Sequence, residues 1–129
     1  MALSELELKR CEKDIAAFLE RRRPLPHLRD EFDIGYRIDG HQVVIFEVRP
    51  KLNEQTVKLE LPIAKASFVR TKGRWRVFWM RQPLKWQSYA PKAEVKTLKE
   101  FLDTVDRDEH FCFFWRQPAK IGFNIKGLP

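Results

Sequence analysis

The stretch from Leu61 to Ala93 contains no Asp or Glu, although acidic residues are frequent in the rest of the chain. It carries eight Lys or Arg residues and six aromatic residues. The remainder of the chain has nearly balanced charges, so the formal net charge of +7 resides in this one block. The block therefore either faces an anionic partner or belongs to a structural sheet whose polar face is basic.

Two β-prone runs in this block flank the dipeptide Lys72-Gly73. Their alternating polar and apolar residues predict strands over about 57–70 and 74–81, joined as a hairpin. A two-residue loop at Lys72-Gly73 would pair Arg70 with Trp75, whereas a one-residue bulge would shift this register.

Side chains alternate between the two faces of a strand, so the hairpin has two distinct surfaces whichever register it takes. One surface is apolar and is expected to be core; it consists of Ala66, Phe68, Trp75, Val77 and Trp79. The other is basic and partly aromatic; it consists of Lys65, Ser67, Val69, Arg74, Arg76, Phe78 and Met80. Pro62 marks a bulge or an edge in the first strand.

Capping signals predict two helices. Ser4 and Glu7 have the spacing of a capping box, and an apolar stripe follows over about 5–22 until Pro24 stops the helix. Thr97 and Glu100 form a second box before another apolar stripe.

Further β-prone runs precede and follow these elements. Asp39-Gly40 predicts a type I′ hairpin turn, and the polar residues 51–56 are expected to connect two strands. The apolar run 111–115 predicts a buried C-terminal strand. The predicted fold is therefore α+β: an N-terminal helix, a four-stranded mainly antiparallel meander, a second helix and a C-terminal strand, with the helices packed on one face of the sheet.

The length of 129 residues predicts a single domain over 1–129, with an ordered core over about 5–115 and a surface tail over 117–129. No apolar run approaches the roughly 20 residues that span a bilayer, and the N-terminus does not have the pattern of a signal peptide. A cytoplasmic location is expected, and the two distant cysteines, Cys11 and Cys112, are expected to be free thiols.

A set of scattered residues resembles a family of small bacterial proteins known as domain of unknown function 3024 (DUF3024). The matching residues are Arg29-Asp30, Gly35-Tyr36-Arg37, Gly40, Phe46-Glu47-Val48-Arg49-Pro50, Ile63-Ala64-Lys65, Trp75, Trp79, Arg81, Leu84-Lys85-Trp86, Tyr89, Val105 and Asp108. The pattern differs at Gln87, where the family favours His. The resemblance implies a bacterial origin and assigns no activity.

Nucleic-acid binding without catalysis is the function that the basic, aromatic surface favours, because cations neutralise phosphates and rings stack on bases. The candidate binding residues are Lys65, Arg70, Lys72, Arg74, Arg76, Phe78, Arg81, Lys85 and Trp86. Two alternatives stay open: a homodimeric protein-interaction module, since aromatic residues are abundant, and a divergent restriction-endonuclease-like, metal-dependent nuclease.

The nuclease alternative depends on Asp33 and Glu47, with Lys65 as an assisting lysine. A tight turn at Asp39-Gly40 places the two carboxylates on opposite faces of the sheet, which counts against it. No cofactor and no metal site are expected from the sequence, and no membrane association is expected.

Overall fold

The computed structural model describes residues 2–82 and 85–114. The predicted surface tail over 117–129 and the last residue of the predicted C-terminal strand, Trp115, lie outside the described residues.

Both predicted helices form where their capping signals stand. Helix α1 spans Glu5–Arg22; the Ser4 hydroxyl accepts the Glu7 N–H, and the Glu7 carboxylate accepts the Ser4 N–H. Helix α2 spans Leu98–Arg107 and is capped by Thr97. Short 3₁₀ turns occur at Pro26–Leu28 and Ala90–Lys92.

The described residues form one antiparallel sheet of six strands, in which β1 to β5 are neighbours in sequence order. The strands are β1 (Asp33–Asp39), β2 (Gln42–Lys51), β3 (Glu54–Val69), β4 (Arg74–Gln82), β5 (Lys85–Ser88) and β6 (Glu94–Val95). β5 and β6 pair with the same edge of β4: β5 near its end, at Phe78–Gln82, and β6 near its start, at Trp75 and Arg76. The structure confirms the α+β class and the N-terminal helix, with six strands in place of four before α2.

Two expectations about strand ends were wrong. Residues 51–56 do not form a long connection, because β2 runs to Lys51 and β3 begins at Glu54. Residues 111–114 are bent and form no strand. Burial was predicted correctly for Phe113 and Phe114 but not for Phe111, which is 64% exposed. The N–H groups of Phe113 and Phe114 donate to the buried Asp108 carboxylate at 3.1 and 2.9 Å, which satisfies these two backbone groups without a partner strand.

The β1–β2 turn lies one residue later than predicted. Asp39 pairs with Gln42, so the loop is Gly40-His41. Gly40 has φ +60°, whereas His41 does not have a positive φ. This combination fits a type II′ turn, which needs glycine only at its first central position.

The β3–β4 hairpin also differs from its predicted register. Phe68 pairs with Trp75, because residues 70–73 form a four-residue loop in which the Gly73 N–H donates to the Val69 carbonyl at 2.9 Å. The pairing of Arg70 with Trp75 was therefore wrong. Each pairing differs from the predicted one by two residues. Because side chains alternate between faces with a period of two, this shift leaves every residue on its predicted face, and the two predicted faces of the hairpin are confirmed.

The sheet has one face covered by α1 and α2, called here the helix-covered face, and an opposite face, called the open face, against which none of the described helices packs. The helix-covered face supplies the core with Ile34, Val43, Ile45, Ala64, Ala66, Trp75 and Val77. Opposite them, α1 contributes Cys11, Ile15 and Phe18, and α2 contributes Leu98, Phe101, Leu102 and Val105. The predicted bulge at Pro62 is present: Phe46 pairs with Pro62 while Ile45 pairs with Ala64.

Gly35 allows a close approach between β1 and β2 on the open face. A Cβ atom at Gly35 would lie 2.6 Å from the Cε1 atom of the Phe46 ring. We expect Gly35→Ala to lower the free energy of unfolding by about 1–3 kcal/mol, because the buried ring would have to move. Urea denaturation of the variant measures this loss.

The same substitution in a Phe46→Leu background is the matched control for this prediction. The cost of Gly35→Ala should shrink there, since the ring that causes the clash has gone. An equal cost in both backgrounds would contradict the proposed clash.

Candidate nucleic-acid interface

Five of the nine candidate binding residues share the open face. They are Lys65 on β3, Arg74, Arg76 and Phe78 on β4, and Trp86 on β5. Cross-strand pairing of Lys65 with Phe78 and of Met80 with Trp86 places these side chains in adjacent rows. The helix-covered face takes the apolar members of the same strands, which leaves the cations together on the other side.

Lys65 lies between two aromatic rings. Its Nζ atom is 4.7 Å from the centre of the Phe78 ring and 5.0 Å from that of the Trp86 ring. Burial lowers the pKa of the Lys65 amine, while the electron-rich faces of the rings favour its charged form. The three side chains therefore form a packed unit in the middle of the open face.

Arg74 and Arg76 lie on the open face without charge compensation. Arg76 is exposed and Arg74 half-buried, and among the described residues no carboxylate lies within 4.0 Å of either guanidinium. Glu94 is the cross-strand neighbour of Arg76. Its carboxylate instead contacts the Lys72 amine at 3.4 Å.

Arg70 and Lys72 differ from the other candidates because both are compensated within the chain. The Arg70 guanidinium donates to both carboxylate oxygens of Glu7, at 3.0 and 3.2 Å, and to the Ala2 carbonyl at 3.3 Å. Lys72 is paired with Glu94. These two cations join the β3–β4 loop to α1 and β6, so they add little net charge to the open face.

Arg81, Lys85 and Trp86 lie at the opposite end of β4 and β5. With Gln87 they line a shallow cavity of about 180 Å³, and the Arg81 guanidinium donates to the Gln87 side-chain oxygen at 3.3 Å. Gln87 pairs with Trp79, two residues before Arg81, so the two side chains are diagonal neighbours across the strands. The sequence did not identify Gln87 as a site residue, since only the strand pairing shows that it orients Arg81.

The residues proposed for a nuclease are not brought together. Asp33 forms a bidentate ion pair with Arg23, at 2.8 and 2.7 Å. Glu47 is buried on the helix-covered face and contacts Arg49 at 3.0 Å. Asp33 pairs with Val48, so the two carboxylates lie on opposite faces. Within 2–82 and 85–114, no cluster of three or more His, Cys, Asp or Glu side chains could hold a metal ion.

Neither described helix is both long enough and apolar enough to cross a membrane. Cys11 and Cys112 are free thiols, and burial raises the pKa of Cys11 to about 11.

Comparison with known proteins gives one match. The family model described as domain of unknown function DUF3024 matches residues 3–115. No curated protein and no solved structure has significant similarity to the chain.

The Glu7–Arg70 ion pair makes the stability of the fold depend on pH. Hydrogen bonds from the Arg70 side chain, supported by the Ser4 backbone, lower the pKa of Glu7 from 4.5 to about 2. A carboxyl group whose pKa is lower in the folded than in the unfolded state stabilises the fold above pH 4.5. This contribution is lost as the pH falls towards 2. We expect Arg70→Gln to lose this contribution.

The free energy of unfolding of the native protein and of Arg70→Gln should therefore differ above pH 4.5 and converge near pH 2. NMR titration of the Glu7 carboxyl carbon should show a higher midpoint in the variant. An unchanged Glu7 midpoint would contradict a role for Arg70 in holding this carboxylate.

Proposed function

Because the chain belongs to the DUF3024 family, whose name assigns no activity, we propose from its geometry that it is a non-catalytic nucleic-acid-binding module. The proposed binding surface is the open face together with Arg81 and Lys85 at the end of β4 and β5. We propose further that the protein acts in the bacterial cytoplasm, where nucleic acid is accessible to it.

The observation that carries this proposal is the contrast between compensated and uncompensated cations in the sheet. Several sheet and loop cations are paired with carboxylates: Arg37, Arg49, Lys51, Arg70 and Lys72. Within residues 61–93, five cations have no carboxylate of the described residues within 4.0 Å: Lys65, Arg74, Arg76, Arg81 and Lys85. Like charges on one surface repel one another, and an anionic polymer bound along that surface would relieve the repulsion.

The uncompensated cations follow one direction on the sheet. From Arg76 to Arg81 along β4 the extended chain covers roughly 17 Å at about 3.4 Å per residue. Phe78 lies two residues after Arg76 on the open face, and Trp86 lies beside it on β5, while Arg81 lies at the end of β4. A nucleic-acid strand that runs along β4 could therefore contact cations at both ends and aromatic rings between them.

A single strand fits this surface better than a duplex. Phe78 and Trp86 are half-buried in a sheet, so they can stack only on bases that are already unpaired. None of the described elements projects a helix from the open face that would enter a major groove. We therefore propose single-stranded DNA or RNA as the ligand class.

The nuclease alternative has no supporting observation in the described residues, since Asp33 and Glu47 lie on opposite faces. The homodimeric alternative rests on the abundance of aromatic residues and stays a prediction.

We expect the triple variant Arg74→Gln, Arg76→Gln, Lys85→Gln to lose most of its affinity for single-stranded oligonucleotides. Each phosphate contact contributes about 0.7 to the slope of log K against log salt concentration, so the slope should fall by roughly 2. Fluorescence titrations at several salt concentrations measure both quantities.

The matched control is Lys9→Gln, Arg10→Gln, Lys13→Gln, which removes the same number of charges from the exposed surface of α1. Its affinity should stay close to that of the native protein if the open face is the site. Equal losses in the two triple variants would show that only net charge matters and would contradict a defined site.

We also expect Trp86→Leu to weaken binding by about 1–3 kcal/mol, because it removes a ring on which a base stacks. Tryptophan quenching by the oligonucleotide should fall in the same variant. Tyr36→Leu is the matched control, since Tyr36 is an exposed aromatic residue on β1, away from β4 and β5. Unchanged affinity of Trp86→Leu would exclude stacking at this position.

A further inference from the structure

Strand β3 is much longer than the neighbour on its outer edge. It spans 16 residues, but β4 pairs with it only from Ala64 to Val69. The outer segment, Glu54–Leu61, pairs with β2 on one side, regularly over Lys58–Leu61 and again at Glu54, with a register shift across residues 55–57. Among residues 2–82 and 85–114 no strand pairs with its other side. This segment is called here the free edge. Its outward N–H and C=O groups are available to another strand.

The free edge is only partly protected against pairing with another chain, because its register shift lies at residues 55–57, outside the regular stretch Lys58–Leu61. Natural edge strands are protected by proline, bulges or several charged residues. No proline occurs between Glu54 and Leu61, and the charged residues there, Glu54, Lys58 and Glu60, are of both signs, so they can pair with an opposing copy. Val57 and Leu59 are large apolar residues with 40% and 42% of their surface exposed.

The sequence of the free edge is self-complementary about Leu59. In an antiparallel pair of identical segments centred there, Leu59 lies opposite Leu59 of the second copy. Lys58 then lies opposite Glu60 of the second copy, twice by symmetry, and Val57 lies opposite Leu61. Opposite charges meet on one face and apolar side chains on the other, which is the arrangement that stabilises cross-strand pairs.

Neighbouring registers are less favourable. A two-fold axis at Val57 would place Glu54 opposite Glu60 of the second copy, and an axis at Lys58 would place two lysines opposite each other. An axis at Thr56 would pair Glu54 with Lys58 but would place Val57 opposite Gln55. Leu59 alone among these centres combines opposite charges with apolar contacts.

The contacts that these residues already make leave capacity for a second copy. The Lys58 amine donates to the Asp30 carbonyl at 2.6 Å and retains further N–H donors. Glu60 contacts Arg37 at 3.1 Å, and 54% of its side chain is exposed. A carboxylate accepts several hydrogen bonds, so it can hold Arg37 and an opposing lysine together.

We propose that the protein forms a homodimer in which the free edges of two copies pair antiparallel about a two-fold axis at Leu59. The two sheets then become one continuous sheet. In such a pair the axis is perpendicular to the sheet, so both open faces lie on the same side. If the proposed function is correct, the dimer presents two binding surfaces to one nucleic-acid strand and gains avidity.

Cysteine cross-linking of the full chain, without nucleic acid, tests the dimer independently of the proposed function. Directly opposite residues in antiparallel strands have Cα atoms about 4.5–5.5 Å apart, which is within the range that a disulfide bridges. Leu59→Cys should therefore link two copies on oxidation with glutathione disulfide. Val57→Cys is matched in exposure, but its two copies would be roughly 14 Å apart along the strands.

We expect Leu59→Cys to cross-link at least about tenfold faster than Val57→Cys and than the native protein, whose own two thiols set the background. Sedimentation velocity should show the native protein as a dimer that dissociates on dilution, and Leu59→Lys should shift it to monomer. Leu52→Lys, at the hairpin tip outside the pairing, should leave the dimer unchanged.

Three results would overturn the proposal: a native protein that is monomeric at every concentration, equal cross-linking at positions 57 and 59, or faster cross-linking at 57. Circular dichroism of each variant confirms that the monomer is folded. Since these measurements contain no oligonucleotide, a failure of nucleic-acid binding would not be mistaken for a failure of dimerisation.

Discussion

Burial of one face of the β3–β4 hairpin under α1 and α2 is the constraint on which the rest of this structure depends. Ala64, Ala66 and Val77 are fully buried at the centre of that face. Their small or compact side chains let the sheet approach the helices closely. Since alternate residues of a strand must point the other way, the intervening cations and aromatic residues are forced onto the open face.

Charge compensation then divides the basic residues into two groups. Carboxylates on other elements reach the cations at the edge of the basic block, as Glu7 reaches Arg70 and Glu94 reaches Lys72. The centre of the block has no acidic residues in its own sequence, and the described acidic residues do not reach it. The open face therefore keeps a local excess of positive charge around Lys65, Phe78 and Trp86.

The free edge of β3 and the open face are separate consequences of one long strand. Near Ala64 the strand is central and presents Lys65 beside β4, whereas over Glu54–Leu61 its described neighbour is β2, on one side. The bulge at Pro62 lies between these two regions. A single strand thus supplies a surface suited to a polyanion and an edge suited to another strand.

Sequence patterns predicted well what depends on local chemistry. The Ser4 and Thr97 caps begin α1 and α2, and the alternation in β3 and β4 assigns Phe68 and Arg76 to opposite faces. These features could be predicted because capping involves residues three positions apart and alternation survives a register shift of two.

Other features were missed because they depend on which turn conformation the flanking strands select. Type I′ and type II′ turns both accept glycine, so the dipeptide Asp39-Gly40 did not fix the loop at Gly40-His41. The apolar run before Trp115 predicted a strand, but the N–H groups of its buried residues Phe113 and Phe114 are satisfied by the Asp108 carboxylate instead. Burial followed from composition, whereas the hydrogen-bond partner did not.

By itself the sequence determined the α+β class, the helix starts and the basic composition of one sheet face, because local pattern dictates them. Only the tertiary structure decided which cations are compensated, that Lys65 lies between Phe78 and Trp86, and that β3 extends past β4. These features depend on contacts between residues far apart in the chain, such as Arg70 with Glu7, and such distances are set only when the elements pack.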